Sequence, residues 1–186
     1  SQIKLKSSAP LMDKVFPSTQ ESSISLTDIK KENGLIVIFS CNTCPFVVGT
    51  EDFPGWENQY NELHKYANSQ DVGFVLINSN EAKRTGDDSF KAMQTHAKNV
   101  AYNMSYLLDK NAALANSLNA KTTPHVFFFD QNQKLVYSGS IDNIWEGKRK
   151  KTKPFLRSAI ENHLKSKKIK PNATAPKGCS IKRIKA

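Results

Sequence analysis

Three segments of this chain are apolar almost without a break: residues 35–39 (LIVIF), 72–78 (VGFVLIN) and 126–129 (VFFF). A strand with one face in water alternates polar and apolar side chains, whereas a strand buried on both faces reads as a continuous apolar run. Strands of this kind need an apolar layer above and below their sheet, which points to helices on both faces. At 186 residues the chain is long enough for one domain with such a core. None of the runs approaches the roughly 20 residues of a membrane-spanning helix.

Between the strands the periodicity turns helical. Trp56, Tyr60, Leu63 and Ala67 share one face of a helix expected over residues 54–68. Phe90, Met93 and Ala97 do the same over 87–99, and Phe155, Leu156, Ala159, Ile160 and Leu164 over 154–165. Shorter helices are expected at 45–50 and 111–118, with Pro54 breaking the first from its successor because proline donates no i→i−4 bond. Residues 27–34 (TDIKKENG) predict one helical turn with Thr27 as N-cap and Gly34 as the stop. Residues 23–26 and 105–109 read as short strands, and residues 13–23 as loop. Two strands around a turn at 130–134 complete the pattern. The order βαβ, further α and β elements, a β-hairpin and a final helix predicts an α/β fold with a central mixed β-sheet flanked by helices on both faces. Residues 1–170 read as a single domain and residues 171–186 as a basic C-terminal tail.

The formal charge of +10 is not evenly spread. Residues 1–145 carry 13 Lys+Arg against 15 Asp+Glu, and residues 146–186 carry 14 against 2. A nucleic-acid enzyme would weave basic residues and stacking aromatics through its binding face. Here they cluster in 147–153 (GKRKKTK), 165–170 (KSKKIK) and 182–185 (KRIK), which argues against a specific nucleic-acid partner. The runs read as solvated surface, with weak contact to a polyanion or a membrane surface as the alternative.

Cys41 and Cys44 follow the first apolar strand directly, separated by Asn42 and Thr43. In open α/β sheets the reactive groups lie at the carboxyl ends of strands. A thiol attacks only as its thiolate, and backbone N–H groups at a strand–helix junction stabilise that anion. Cys44 lies one helical turn beyond Cys41, within reach of a disulfide. The expected cycle has Cys41 attacking a partner disulfide and Cys44 resolving the mixed disulfide. Zinc would need a second paired ligand set, but His64, His96, His125 and His163 are scattered and Cys179 has no ligand-spaced partner, so no metal and no cofactor is expected. A permanent disulfide closing so short a loop would stabilise little. Because Asn42 and Thr43 are uncharged, a potential as oxidising as about −120 mV is not expected.

A second constellation is residues 121–130 (KTTPHVFFFD). Pro124 either just begins a strand, where its missing N–H is tolerated, or forms a cis Thr123–Pro124 bond facing the cysteines. The second reading has the backbone at Thr123 pairing with an extended substrate, and proline keeping metals from the thiols. Asn78 and Asn80 bind a substrate backbone or cap a turn. His125 reads as a strand residue with a satisfied imidazole, and Glu51 and Asp52 as surface charges. Cys179 is either a third redox thiol or small core filler.

Taken together, residues 39–47 (FSCNTCPFV), 75–93 (VLINSNEAKRTGDDSFKAM), 121–130, 135–143 (LVYSGSIDN) and 178–182 (GCSIK) resemble the thioredoxin-like superfamily. The branch is the one related to alkyl hydroperoxide reductase/thiol-specific antioxidant proteins. The resemblance implies a thioredoxin fold with an inserted strand–helix element, catalysis by Cys41 and Cys44, and substrate contacts at Asn42, Thr43, Thr123 and Pro124. Ser40 stands where thioredoxins have tryptophan, and Leu35 where they bury an acid. Peroxiredoxins place Pro and Thr seven and three positions before the peroxidatic cysteine; Gly34 and Ile38 occupy those places before Cys41, and Val37 and Cys41 before Cys44.

The function expected is therefore a thiol–disulfide oxidoreductase acting on protein or small-molecule disulfides, supplied by an unidentified electron donor. A thiol peroxidase and a non-catalytic binding module with a basic tail are the alternatives. The resemblance includes many exported bacterial proteins, so the periplasm or cell envelope is the expected location, with the cytoplasm as alternative.

Overall fold

The computed structural model describes residues 3–20 and 22–185. In chain order the elements are β1 (Val15–Pro17), β2 (Ser23–Ser25), α1 (Leu26–Ile29), β3 (Gly34–Phe39), α2 (Pro45–Val48), α3 (Tyr60–Ser69), β4 (Val72–Asn78), α4 (Phe90–Val100), β5 (Tyr106–Leu108), α5 (Ala113–Leu118), β6 (Thr122–Thr123), β7 (His125–Phe129), β8 (Leu135–Gly139), α6 (Phe155–Leu164) and β9 (Cys179–Ser180). The apolar runs are the inner strands of a five-stranded sheet ordered β5-β4-β3-β7-β8. β3 pairs in parallel with β4 and antiparallel with β7, so the sheet is mixed.

Both parities of each inner strand are apolar because each face has its own core. Ile36, Ile38, Phe74, Leu76, Val126 and Phe128 point to one face, under Tyr60, Leu63 and Ala67 of α3, Met93 of α4 and Leu156, Ala159 and Ile160 of α6. Leu35, Val37, Phe39, Val75, Ile77, Phe127 and Phe129 point to the other, under Leu26 of α1 and Leu114, Ala115 and Leu118 of α5. Phe39 and Phe127 meet edge to face at 5.7 Å across β3 and β7. Truncating a phenylalanine in such a core costs about 3–5 kcal/mol, so these layers fix where β3 ends. β5 extends the sheet beyond β4, and the residues between Cys44 and Pro124 include this added strand and α4. The arrangement is a thioredoxin-like α/β fold.

The local expectations hold with four corrections. Residues 15–17, read as loop, form β1, a strand with only Phe16 buried and so no periodic signal. The cap of α1 is Ser25, not Thr27: its hydroxyl accepts from the Asp28 N–H while the Asp28 carboxylate accepts from the Ser25 N–H. Gly34 opens β3 instead of ending the helix, and its φ of 137° with Phe129 O crowding the Cβ position explains the glycine. α3 starts at Tyr60, after a single 3-10 turn from Glu57 to Gln59.

The segment read as a tail runs back over the domain. The Ser138 N–H donates to Asn172 O (3.2 Å), Tyr137 Oη meets Thr174 Oγ1 (2.7 Å), and Ser140 Oγ donates to Ala175 O (2.8 Å). β9 then pairs antiparallel with β6, and Ile181 is buried in the α5-side core. The basic run 147–153 is exposed on the loop between β8 and α6. Among the described residues no helix is long and apolar enough to cross a membrane.

Candidate functional site

Register alone brings the cysteine pair and the constellation at residues 121–130 together. Phe39 at the end of β3 pairs with His125 at the start of β7. Two residues further along each antiparallel strand, Cys41 stands opposite Thr123. The Cys41 sulfur lies 3.3 Å from Thr123 Oγ1, and the Cys44 thiol donates to Thr123 O at 3.3 Å. The Thr123–Pro124 peptide is cis. Both sulfurs therefore meet at one threonine, 79 and 82 residues away in sequence.

The helix after the pair is shorter than its sequence suggests. α2 begins at Pro45, so Cys44 and not Cys41 occupies its N-cap. Its four residues end at Gly49, whose φ of 90° and tight approach to Pro54 O leave no room for a side chain. The Cys44 thiol is lowered to about 5, first by the hydrogen bond from Cys41, then by hydrogen bonds from Cys179 and Thr123 that outweigh burial. Cys41 moves the opposite way, raised by its bond to Cys44 and by burial. Within the pair Cys44 is the more acidic thiol, because it collects more donors than Cys41 does.

A buried carboxylate that the sequence reading did not single out holds the turn between the cysteines. Asp88 Oδ1 accepts from the Asn42 backbone N–H (3.1 Å) and from Asn78 Nδ2 (2.8 Å), and Oδ2 accepts from Asn80 Nδ2 (3.0 Å). Asn42 also donates through Nδ2 to Asp87 O (2.9 Å) and accepts from the Tyr106 hydroxyl (2.7 Å). Asn42, expected to touch substrate, is thus committed to this internal network, and so are Asn78 and Asn80. The sequence carried a signal: amides at the end of β4 and a carboxylate just before α4 are polar groups that burial must pair. Thr43 differs, being exposed on the rim of a shallow depression of about 470 Å³ also lined by Asn42, Ser89, Thr95 and His96.

Thr123 and Pro124 lie where the sequence put them, but their edge is not free. β9 occupies it, with Cys179 paired to Thr123 and Ser180 to Thr122. Gly178 makes this approach possible, since a Cβ there would sit 2.1 Å from Thr123 O. The strap is anchored further on, where the Lys182 N–H donates to Asn80 Oδ1 (2.9 Å) and the Ala82 N–H donates to Lys182 O (2.8 Å). Under it Cys41 is 1% and Cys44 6% exposed. The thiols are free, and Cys179, itself partly exposed, packs against the pair.

His125 is fully buried, accepting from the Lys121 N–H through Nδ1 (3.0 Å) and meeting Ser138 Oγ through Nε2 (3.4 Å). Burial, and then Lys121, push it down to about 3, so it is a neutral structural group. Ser40 is also internal, with its hydroxyl 2.9 Å from Tyr60 Oη. Glu51 and Asp52 are exposed. Among the described residues no group of His, Cys, Asp and Glu is arranged to hold a metal ion.

This geometry has a family. The sequence pattern of the Redoxin family matches residues 4–156. The chain belongs to the Redoxin family. An uncharacterized conserved protein from Geobacillus kaustophilus shares 27% identity and a TM-score of 0.87, with 98% of this chain and 94% of that one covered. A hypothetical protein from Sinorhizobium meliloti gives 27% and 0.86 over 100% and 98%. A Chlorobium tepidum structure described as a thiol:disulfide interchange protein shares the fold at 14% identity and a TM-score of 0.61, covering 88% of this chain and 97% of its own. No protein of curated function matches. This Redoxin member is accordingly a thioredoxin-like redox protein, and its matched span includes both cysteines of the C-x-x-C and the cis peptide, while Cys179 lies beyond it.

Proposed function

We propose that this Redoxin member is a thiol–disulfide oxidoreductase whose Cys41–Cys44 pair exchanges with protein or small-molecule disulfides. The observation that supports it is the convergence of both sulfurs on Thr123, each 3.3 Å away, beside the cis peptide. The Cys44 thiolate attacks one sulfur of the substrate disulfide, forming a mixed disulfide and releasing the other sulfur as a thiolate. Cys41 then attacks the Cys44 sulfur; the Cys41–Cys44 bond forms, the mixed disulfide breaks, and the Cys41 proton goes to the departing thiolate. Asp88 and the Asn42 amide hold the turn so that the two sulfurs stay within reach of each other.

Insulin reduction driven by dithiothreitol, followed as turbidity, tests the reaction, and the single serine variants test the order of attack. Cys41→Ser should accumulate the mixed disulfide and Cys44→Ser should not. The opposite pattern would restore Cys41 as the attacking thiol, and turbidity unaffected by both changes would remove the function.

A second reading is a thiol peroxidase. It is favoured by how little of Cys44 is open, since a small peroxide passes beneath a covering strand more readily than a protein disulfide does. Peroxide consumption with a sulfenic acid trapped on Cys44 would distinguish it.

A further inference from the structure

The strand that covers the pair carries a thiol of its own. We propose that Cys179 is a third redox cysteine: its thiolate attacks the Cys44 sulfur of an oxidised Cys41–Cys44 pair, so that β9 acts as a tethered substrate and carries the disulfide from the buried pair to the surface. The proposal rests on the reading of Cys41 and Cys44 as a redox couple.

Three observations support it. Cys179 is the residue of β9 that pairs with Thr123, the same residue that both active sulfurs touch. An extended segment laid antiparallel along that edge sits as a bound disulfide-bearing peptide would, and here the segment belongs to the chain itself. Cys179 also packs directly against the cluster of Cys41, Cys44 and Val47, and Cys44 and Cys179 shift each other's titration, Cys44 down and Cys179 up. Finally, exposure rises along the series, from Cys41 (1%) to Cys44 (6%) to the partly exposed Cys179. An external thiol or disulfide therefore meets Cys179 before either member of the pair.

The exchange balances without another reagent. Cys179 releases its proton to solvent, the Cys44–Cys179 bond forms, the Cys41–Cys44 bond breaks, and Cys41 leaves as a thiolate that takes up a proton. One disulfide is present before and after. In the reduced protein Cys179 is pushed up to about 11, by burial first and then by the bond to Cys44 and its charge. Oxidation of Cys44 removes both of the latter influences, so Cys179 becomes a better nucleophile when its target appears.

The chain's lysines make the test direct. Trypsin releases residues 32–65, which hold both Cys41 and Cys44, and residues 178–182, which hold Cys179. Full-length protein is oxidised with diamide, acid-quenched, alkylated with N-ethylmaleimide and mapped without reduction. The expected result is a 32–65/178–182 crosslink through Cys44 in wild type, alongside the internal Cys41–Cys44 bond. In Cys41→Ser, Cys44 has only Cys179 as partner, and alkylated Cys179 should fall by at least about tenfold. Cys179 alkylated to the same extent in both proteins before and after oxidation would overturn the proposal. The Cys41–Cys44 bond is read in the same digest: its presence without the crosslink sinks only the role of Cys179, and its absence sinks the redox couple itself.

Discussion

The Asn42 backbone N–H donates to Asp88 Oδ1 at 3.1 Å, tying the turn between the two cysteines to a carboxylate 46 residues away. Asp88 accepts from the Asn78 and Asn80 amides as well, so its removal leaves three buried donors without their acceptor. Each orphaned donor costs about 1–3 kcal/mol. We expect Asp88→Ala to destabilise the protein by roughly 3 kcal/mol or more in urea unfolding. Disulfide exchange should fall further than stability alone explains, because Asn42 no longer fixes the spacing of the pair. An exchange rate at the wild-type level in folded Asp88→Ala would remove that positioning role.

The thiolate gives a pH signature. With Cys44 lowered to about 5 from 9.0, reduced protein should absorb at 240 nm as a thiolate at neutral pH and lose that absorbance with a midpoint near 5. Cys44→Ser should abolish the transition. The folded state binds fewer protons than the unfolded state between about 5 and 9, so reduced protein gains stability as pH rises across that window and loses it as pH falls through the folded value. Stabilising the dithiol form also draws the couple toward the oxidising side. Glutathione equilibration should give a potential between about −270 and −120 mV.

His125 acts in a more acidic window. Its folded pKa of about 3 lies below the ordinary 6.5, so the unfolded chain takes up a proton first as pH falls. Stability is complete above 6.5 and declines toward 3. In the oxidised protein, where Cys44 no longer titrates, urea midpoints measured from pH 7 to 4 should show this decline, and His125→Gln should flatten it. An unchanged slope in the variant would assign the acid sensitivity elsewhere.

Opening the strap should expose the pair. A Cβ at Gly178 would sit 2.1 Å from Thr123 O and 2.7 Å from its carbonyl carbon, a backbone clash with no flexible side chain to yield. Gly178→Ala should separate β9 from β6 and raise the alkylation rate of Cys44 by on the order of tenfold, as expected of a locally opened segment. The five-stranded sheet lies outside this contact, so the far-UV spectrum should not change. Equal alkylation rates would mean that β9 does not limit access.

The strands of the five-stranded sheet, the helical faces and the meeting of Cys41 with Thr123 were legible because they depend on residue parity and on which strands are buried on both sides. Val72–Asn78 was read to the residue, since both its faces are apolar. Which thiol is the more acidic was not legible: it depends on the contacts that Thr123 and the distant Cys179 make with Cys44, and the C-x-x-C spacing does not carry them. Asp88 was missed because a carboxylate before a helix looks like a capping residue, while the actual cap of α4 is Ser89. Residues 171–185 carry lysines, prolines and little apolar periodicity, and they are held by backbone pairing and polar contacts with only Ile181 fully in the core, none of which leaves a sequence pattern.

Lys177 is exposed immediately before the strap, and Lys182 follows it, so the cover over the cysteines is bracketed by two sites for a trypsin-like protease. No strand of the five-stranded sheet comes from beyond Gly139. A nick in this stretch would therefore leave the five-stranded scaffold standing while uncovering Cys41 and Cys44 to solvent.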